Sequence, residues 1–240
     1  MSIMNGKPCT SRGVSTVWEG LCANLSSKDD KAAHCYLTSG FTPYEGMAYG
    51  QPMVISEGNL QIDGGYYCNM IDSFSSSGST RGAAILIDGG TAVINGGRYA
   101  GTACGIAVRN DAQLTVNNGY IGSLDTGLYI GDNASAVIHD GEFDRYEKTS
   151  SSSKSQNCAV MMNSTGDLTI YGGSFYGAKQ GLFLQSAGQV TIWNGSFKSR
   201  NPREAQQGAM VISDMENMNI TVYNGTFSGT AGIRSNVKFP

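Results

Sequence analysis

Asp63, Asn95, Asn117, His139, Tyr171, Trp193 and Tyr223 recur at intervals of 32, 22, 22, 32, 22 and 30 residues, each directly after an Ile or Val. The last four carry rings with a polar edge, and such rings can stack on sugars or settle into a protein interface. Beside them, Asp140, Asn194 and Asn224 offer hydrogen bonds to sugar hydroxyls. Three readings of this column stay open. It is a glycan platform, a subunit contact, or a set of rings that merely steady one another across neighbouring strands by a few tenths of a kcal/mol per pair, roughly. His139 and Asp140 are also the best acid–base pair the chain offers. Adjacent residues of a strand face opposite sides, however, so the turn would have to rotate Asp140 toward the ring.

A second set of candidates lies where the chain is longest between its regular segments. Residues 68–81, 144–157 and 198–207 are insertions at one recurring point, and they bring Arg81, Arg145, Lys148, Arg200 and Arg203 to one side of the molecule. Loops so placed either wall a cleft or are solvated tails of a rigid scaffold. Catalysis is the lesser reading. A glycoside hydrolase needs paired carboxylates within about 10 Å, and a calcium-dependent lyase needs clustered Asp ligands with a base. Asp132 and Asp140 come nearest to such a pair, and they fall at different corners of the repeat.

The elements that must position these residues are read from the repeat itself. Its copies are NLQIDGGYY, TAVINGGRY, QLTVNNGYI, SAVIHDGEF, DLTIYGGSF, QVTIWNGSF and NITVYNGTF. Ile62, Ile94, Val116, Ile138, Ile170, Ile192 and Val222 share a strand face with Leu60, Ala92, Leu114, Ala136, Leu168, Val190 and Ile220, two residues earlier. Gly65, Gly97, Gly119, Gly141, Gly173, Gly195 and Gly225 form a turn column that calls for positive φ. Two residues on stands an aromatic column, Tyr67, Tyr99, Phe143, Phe175, Phe197 and Phe227, with Ile121 in one copy. A second strand follows in 105–108, 127–130, 181–184 and 208–211. No unit this short buries its own apolar face, so the units must stack. Rungs of about 4.8 Å give a rod on the order of 34 Å long.

This 22-residue coil with aliphatic and aromatic ladders resembles the right-handed parallel β-helix of the pectin-lyase-like superfamily, closest in style to phage tailspike and virion-surface proteins. The resemblance covers 59–240. It implies an all-β fold of about seven coils, a virion or extracellular surface location, and a homo-oligomer, a trimer by preference. The superfamily also holds polysaccharide lyases and hydrolases, so the fold alone does not choose a function. The expected role is a non-enzymatic surface protein binding a glycan or partner protein, with a small lyase or hydrolase as the alternative.

Composition agrees. Gly is 33 of 240 residues, and a net charge of −3 with a pI near 5.3 argues against nucleic-acid binding. No apolar run approaches the ~18 residues of a membrane span, and the first twenty residues lack the apolar stretch of a secretory signal. No cofactor or metal site is expected. Cys9, Cys22 and Cys35 are spaced by 13 with no Cys-x-x-Cys pair. Cys104 and Cys158 sit two coils apart, about 9.6 Å and beyond disulfide reach, as buried small hydrophobes. The Asn-Gly-Ser/Thr sequons at Asn194 and Asn224 are turns first and glycosylation signals second. Residues 1–58 break the repeat and read as a cap or attachment segment, with short helices expected over 16–25 and 29–36. The far end shows no such cap, and another subunit or further residues are expected to cover it.

Overall fold

The computed structural model describes residues 8–9, 17–18, 23–25, 33–35, 53–69, 82–145, 157–200, 208–213, 218–229 and 231–235. Among them the chain is all-β with no helix. It winds as a parallel β-helix of about seven coils. Each full coil contributes three strands, one to each of three sheets. The first sheet has seven strands, from Asn59–Ile62 to Asn219–Val222. The second carries the aromatic column, from Tyr66–Asn69 to Thr226–Ser228. The third runs from Met53–Ile55 to Ile233–Ser235. Residues after the glycine turn thus form a strand of their own, which the short YY, RY and SF copies do not announce.

Register is kept rung by rung. Ile94 lies beside Ile62 and Val116, and Ile192 beside Ile170 and Val222. The first sheet's strands alternate buried and half-buried side chains, as in Ser135–Ile138, because side chains on a strand point to opposite faces. The aliphatic columns of the first and third sheets meet the aromatic column of the second in one continuous core. Within it Phe143, Phe175, Phe197 and Phe227 stack at centroid distances of 4.9, 4.6 and 4.9 Å. Tyr67 and Tyr99 continue the column 5.1 Å apart. Their hydroxyls donate to the turn carbonyls of Gly64 and Gly96, so a Tyr is accommodated where later coils use Phe. All seven turn glycines have positive φ, from +103° at Gly97 to +150° at Gly195. At Gly97 a Cβ would also stand 3.0 Å from the Gly65 carbonyl of the coil beneath, so this turn excludes a side chain on two counts.

Several strands of the third sheet are buried on both faces. Strands Ala83–Ile87, Cys104–Val108 and Gly208–Ile212 carry no exposed residue, as continuous apolar runs in parallel sheets lead one to expect. Ala83, Leu86, Ala103, Cys104 and Ala107 form a small cluster separate from the main core, with Tyr129 against it. Cys104 and Cys158 are buried, on either side of Thr126 in the register, which keeps them two coils apart.

The helices expected within 16–36 do not form in the described residues. Val17–Trp18 pairs antiparallel with Pro8–Cys9, and Ala23–Leu25 pairs antiparallel with Ala33–Cys35. Ala33–Cys35 then joins the second sheet through Ala33 beside Tyr66. The physical reason is the open edge of the first coil: its unpaired backbone groups recruit a strand. A helix there would leave them bare. The rest of 1–58 before Met53 lies outside the described residues.

Candidate functional site

The first sheet ends, in every coil, on a residue that the strand's alternation turns outward just before the glycine turn. This brings Asp63, Asn95, Asn117, His139, Tyr171, Trp193 and Tyr223 into one file along the rod, and from Asn95 onward each amide donates to the coil beneath, as Tyr171 N does to Ile138 O at 2.7 Å and Trp193 N to Ile170 O at 2.7 Å. His139 is exposed, and Tyr171, Trp193 and Tyr223 are 46%, 44% and 61% exposed. No other file of the described residues presents so many rings to solvent.

The geometry changes what those rings can do. His139 stacks on Tyr171 at 4.9 Å with planes 3° apart, Tyr171 on Trp193 at 6.3 Å and 6°, and Trp193 on Tyr223 at 4.2 Å and 10°. Faces are therefore spent on neighbouring rings. Inserting a sugar between two rings needs two van der Waals layers, about 7 Å, and the widest gap is 6.3 Å. Solvent instead meets a row of ring edges: imidazole nitrogens, two phenol hydroxyls and an indole N–H. The rings stand in the outward file that the sequence pattern assigns to them, stacked on one another.

The other half of the file is an amide ladder. Asn117 Nδ2 donates to Asn95 Oδ1 at 2.7 Å, and Asn95 Nδ2 donates to Asp63 Oδ1 at 2.7 Å. Gln61 Nε2 reaches the same Asp63 oxygen at 2.7 Å. These donors, Asn95 foremost and then Gln61, hold the Asp63 carboxyl below its ordinary value.

Asp140, Asn194 and Asn224 form the next outward file, on the turn, and all are exposed. Asp140 Oδ1 accepts from Gly141 N and Asn224 Oδ1 from Gly225 N, both at 2.8 Å, which fixes the side chains and leaves Asn224 Nδ2 facing outward as a donor. His139 and Asp140 are adjacent, yet among the described residues no hydrogen bond joins them. Asp132 closes the third-sheet strand Thr126–Asp132, whereas Asp140 follows the first-sheet strand Ser135–Ile138, so these two carboxylates stand at different corners.

Of the loop residues, Arg81, Lys148 and Arg203 lie outside the described residues, and Arg145 ends the strand Glu142–Arg145. Arg200 is placed. Its Nη2 donates to Asp144 Oδ2 at 2.8 Å and its guanidinium lies 5.8 Å from the Tyr176 ring. Asp144, Tyr176 and Lys198 are consecutive rungs of one outward column, so the arginine reaches back two coils. Sequence reasoning counted Asp144 only among the charged residues of its insertion and did not single out Tyr176. Their place two residues apart from Glu142 and Ser174, on the outward parity of the second sheet, was the available signal. Arg98 lies likewise over a tyrosine, 4.3 Å from the Tyr120 ring of the next coil, in a neighbouring column of the same sheet.

Neither buried cysteine is set up as a nucleophile. Burial pushes the Cys158 thiol up to about 12, and burial likewise raises Cys104. Among the described residues no group of three or more His, Cys, Asp or Glu could hold a metal ion, and no helix is long and apolar enough to cross a membrane.

No family model matches the chain, and no match was found among curated proteins or among solved structures.

Proposed function

We propose that this protein is a non-enzymatic surface β-helix that binds a glycan along its exposed ring file. One observation carries the reading: three consecutive rings stand 44–61% exposed on a rod whose core is already complete without them. Exposed aromatic edges with polar tips suit a hydroxyl-rich ligand, since each presents an apolar body and a hydrogen-bonding group together. Asn194 and Asn224 flank the file and add amide donors and acceptors. The resemblance to the right-handed pectin-lyase-like β-helices, and in style to phage tailspikes, extends the proposal to a virion or extracellular surface and a homo-oligomer, a trimer by preference.

The alternative of a small polysaccharide lyase or hydrolase has thinner support. His139 gives one face to Tyr171 and Asp140 one oxygen to Gly141 N. A glycan array probed with the wild type and Trp193→Ala tests the proposal. The expected result is a defined set of bound glycans that Trp193→Ala no longer binds, with an unchanged unfolding midpoint. A wild type that binds none, or a variant that binds them all equally well, overturns it.

A further inference from the structure

The turn file beside the rings has a chemistry of its own, and it needs no partner. Three of its members set a side-chain oxygen on the amide of the very next glycine. Asn118 Oδ1 accepts from Gly119 N at 2.7 Å, Asp140 Oδ1 from Gly141 N at 2.8 Å and Asn224 Oδ1 from Gly225 N at 2.8 Å. The ladder between coils passes these glycine amides by. Tyr120 N donates to Gly97 O at 2.9 Å and Thr226 N to Gly195 O at 2.8 Å, whereas among the described residues Gly119 N and Gly225 N donate to no backbone carbonyl.

Asn118 and Asn224 thus each carry an amide carbon next to a nitrogen that the neighbouring coil does not hold. With Oδ1 at hydrogen-bond distance, the Cγ bonded to it stands about 3–3.5 Å from that nitrogen, the range from which a bond forms. Glycine puts no side chain in the way. Both asparagines are exposed, so Cγ has room to turn onto the nitrogen and a leaving group has room to depart.

The chain also contains a contrast. Asn95 is likewise followed by a glycine, yet its amide is tied at both ends. Its Nδ2 donates to Asp63 Oδ1 and its Oδ1 accepts from Asn117 Nδ2, both at 2.7 Å. Both bonds must break before its Cγ can turn toward Gly96 N.

We infer that Asn118 and Asn224 are sites of spontaneous modification, in which the following glycine nitrogen closes a succinimide and water opens it to an acid. The glycine N–H gives up its proton, the N–Cγ bond forms and the Cγ–Nδ2 bond breaks; Nδ2 takes up a proton and leaves as ammonia. Water then cleaves the ring nitrogen from Cγ, giving aspartate, or from the backbone carbonyl carbon, giving isoaspartate. Nothing is oxidised or reduced, and water is the only co-reactant. The aspartate product has a place ready, since Asp140 already makes the same bond in the same turn. At Asn224 the change sets a carboxylate beside Tyr223, itself 61% exposed, and so turns a neutral border of the ring file acidic.

The test is mass spectrometry of the full chain, incubated folded in mildly alkaline buffer made with heavy-oxygen water and digested at intervals. The peptides carrying Asn118 and Asn224 should convert at least tenfold faster than the peptide carrying Asn95, and the converted peptides should carry heavy oxygen. In the urea-unfolded chain, where only the shared Asn-Gly pair remains, the three rates should draw together. The inference is overturned if Asn118 or Asn224 stays intact through the incubation, or if Asn95 keeps pace with either in the folded chain. It is overturned equally if the unfolded chain keeps the same tenfold ranking, because the folded geometry would then not be the cause. None of these outcomes bears on glycan binding, which Trp193→Ala tests separately.

Discussion

Two ring ladders climb the same coils, and they differ in what surrounds them. The inner one, Phe143, Phe175 and Phe197, is fully buried, with centroids 4.9 and 4.6 Å apart. The outer one, His139, Tyr171, Trp193 and Tyr223, has spacings of 4.9, 6.3 and 4.2 Å and lies open to water. Stacking is thus imposed on both by the register of parallel coils, which sets each ring above its counterpart. Register does not decide what a ladder is for. Burial does: the inner rings remove large apolar areas from water, worth about 1.5–3 kcal/mol for each fully buried side chain, and the outer rings remove little. The outer ladder is therefore surplus to folding, and surplus exposed aromatic surface is where a ligand is sought.

That contrast is broken most directly by deleting one ring from each ladder. Phe175→Ala empties a site packed between Phe143 and Phe197 and should cost about 3–5 kcal/mol in denaturant unfolding, the range for a phenylalanine removed from a core. Trp193→Ala, which loses only exposed stacking with Tyr171 and Tyr223, should cost below about 1 kcal/mol. If both variants lost similar stability, the outer ladder would be part of the fold and its exposure would say nothing of a ligand. Binding should reverse the order, with Trp193→Ala the damaging change.

Legibility followed the same division. The inward columns were readable because a period of two, repeated in seven copies, admits one assignment of faces, and the glycine turns were readable because only glycine tolerates φ near Gly195's +150°. The outer file was legible as a place: parity puts Tyr171 and Trp193 outside. Its chemistry was not. Whether rings show faces or edges depends on side-chain torsions, which the type and spacing of residues leave open. Arg200 with Asp144 was hidden for another reason, since the partners are 56 residues apart and meet only because each coil returns the chain to the same corner. The segments at 16–36 misled because a short apolar stretch reads as helix or strand alike. The decisive influence there, an unpaired strand edge at Tyr66–Asn69, is tertiary.

The smallest effect expected tests whether the exposed file is equally dispensable at its amide end. Asp63 accepts from both Asn95 and Gln61, and these bonds favour the charged carboxylate, lowering its titration below the ordinary 3.8. The sign follows from linkage. A carboxyl depressed in the folded state adds stability that is present above its unfolded value and fades as pH falls through the folded one. Asp63→Ala should therefore lie slightly below the wild type in melting temperature at pH 7, and the gap should narrow as pH falls below 3.8. Because Asp63 is fully exposed, water screens the interaction and the gap is smaller than that of either ring deletion. A carboxyl resonance that titrates above 3.8, or a gap that widens in acid, would contradict the ladder's hydrogen bonding. Agreement would place both ends of the outer file in one category: groups that hold one another in line without holding the protein together.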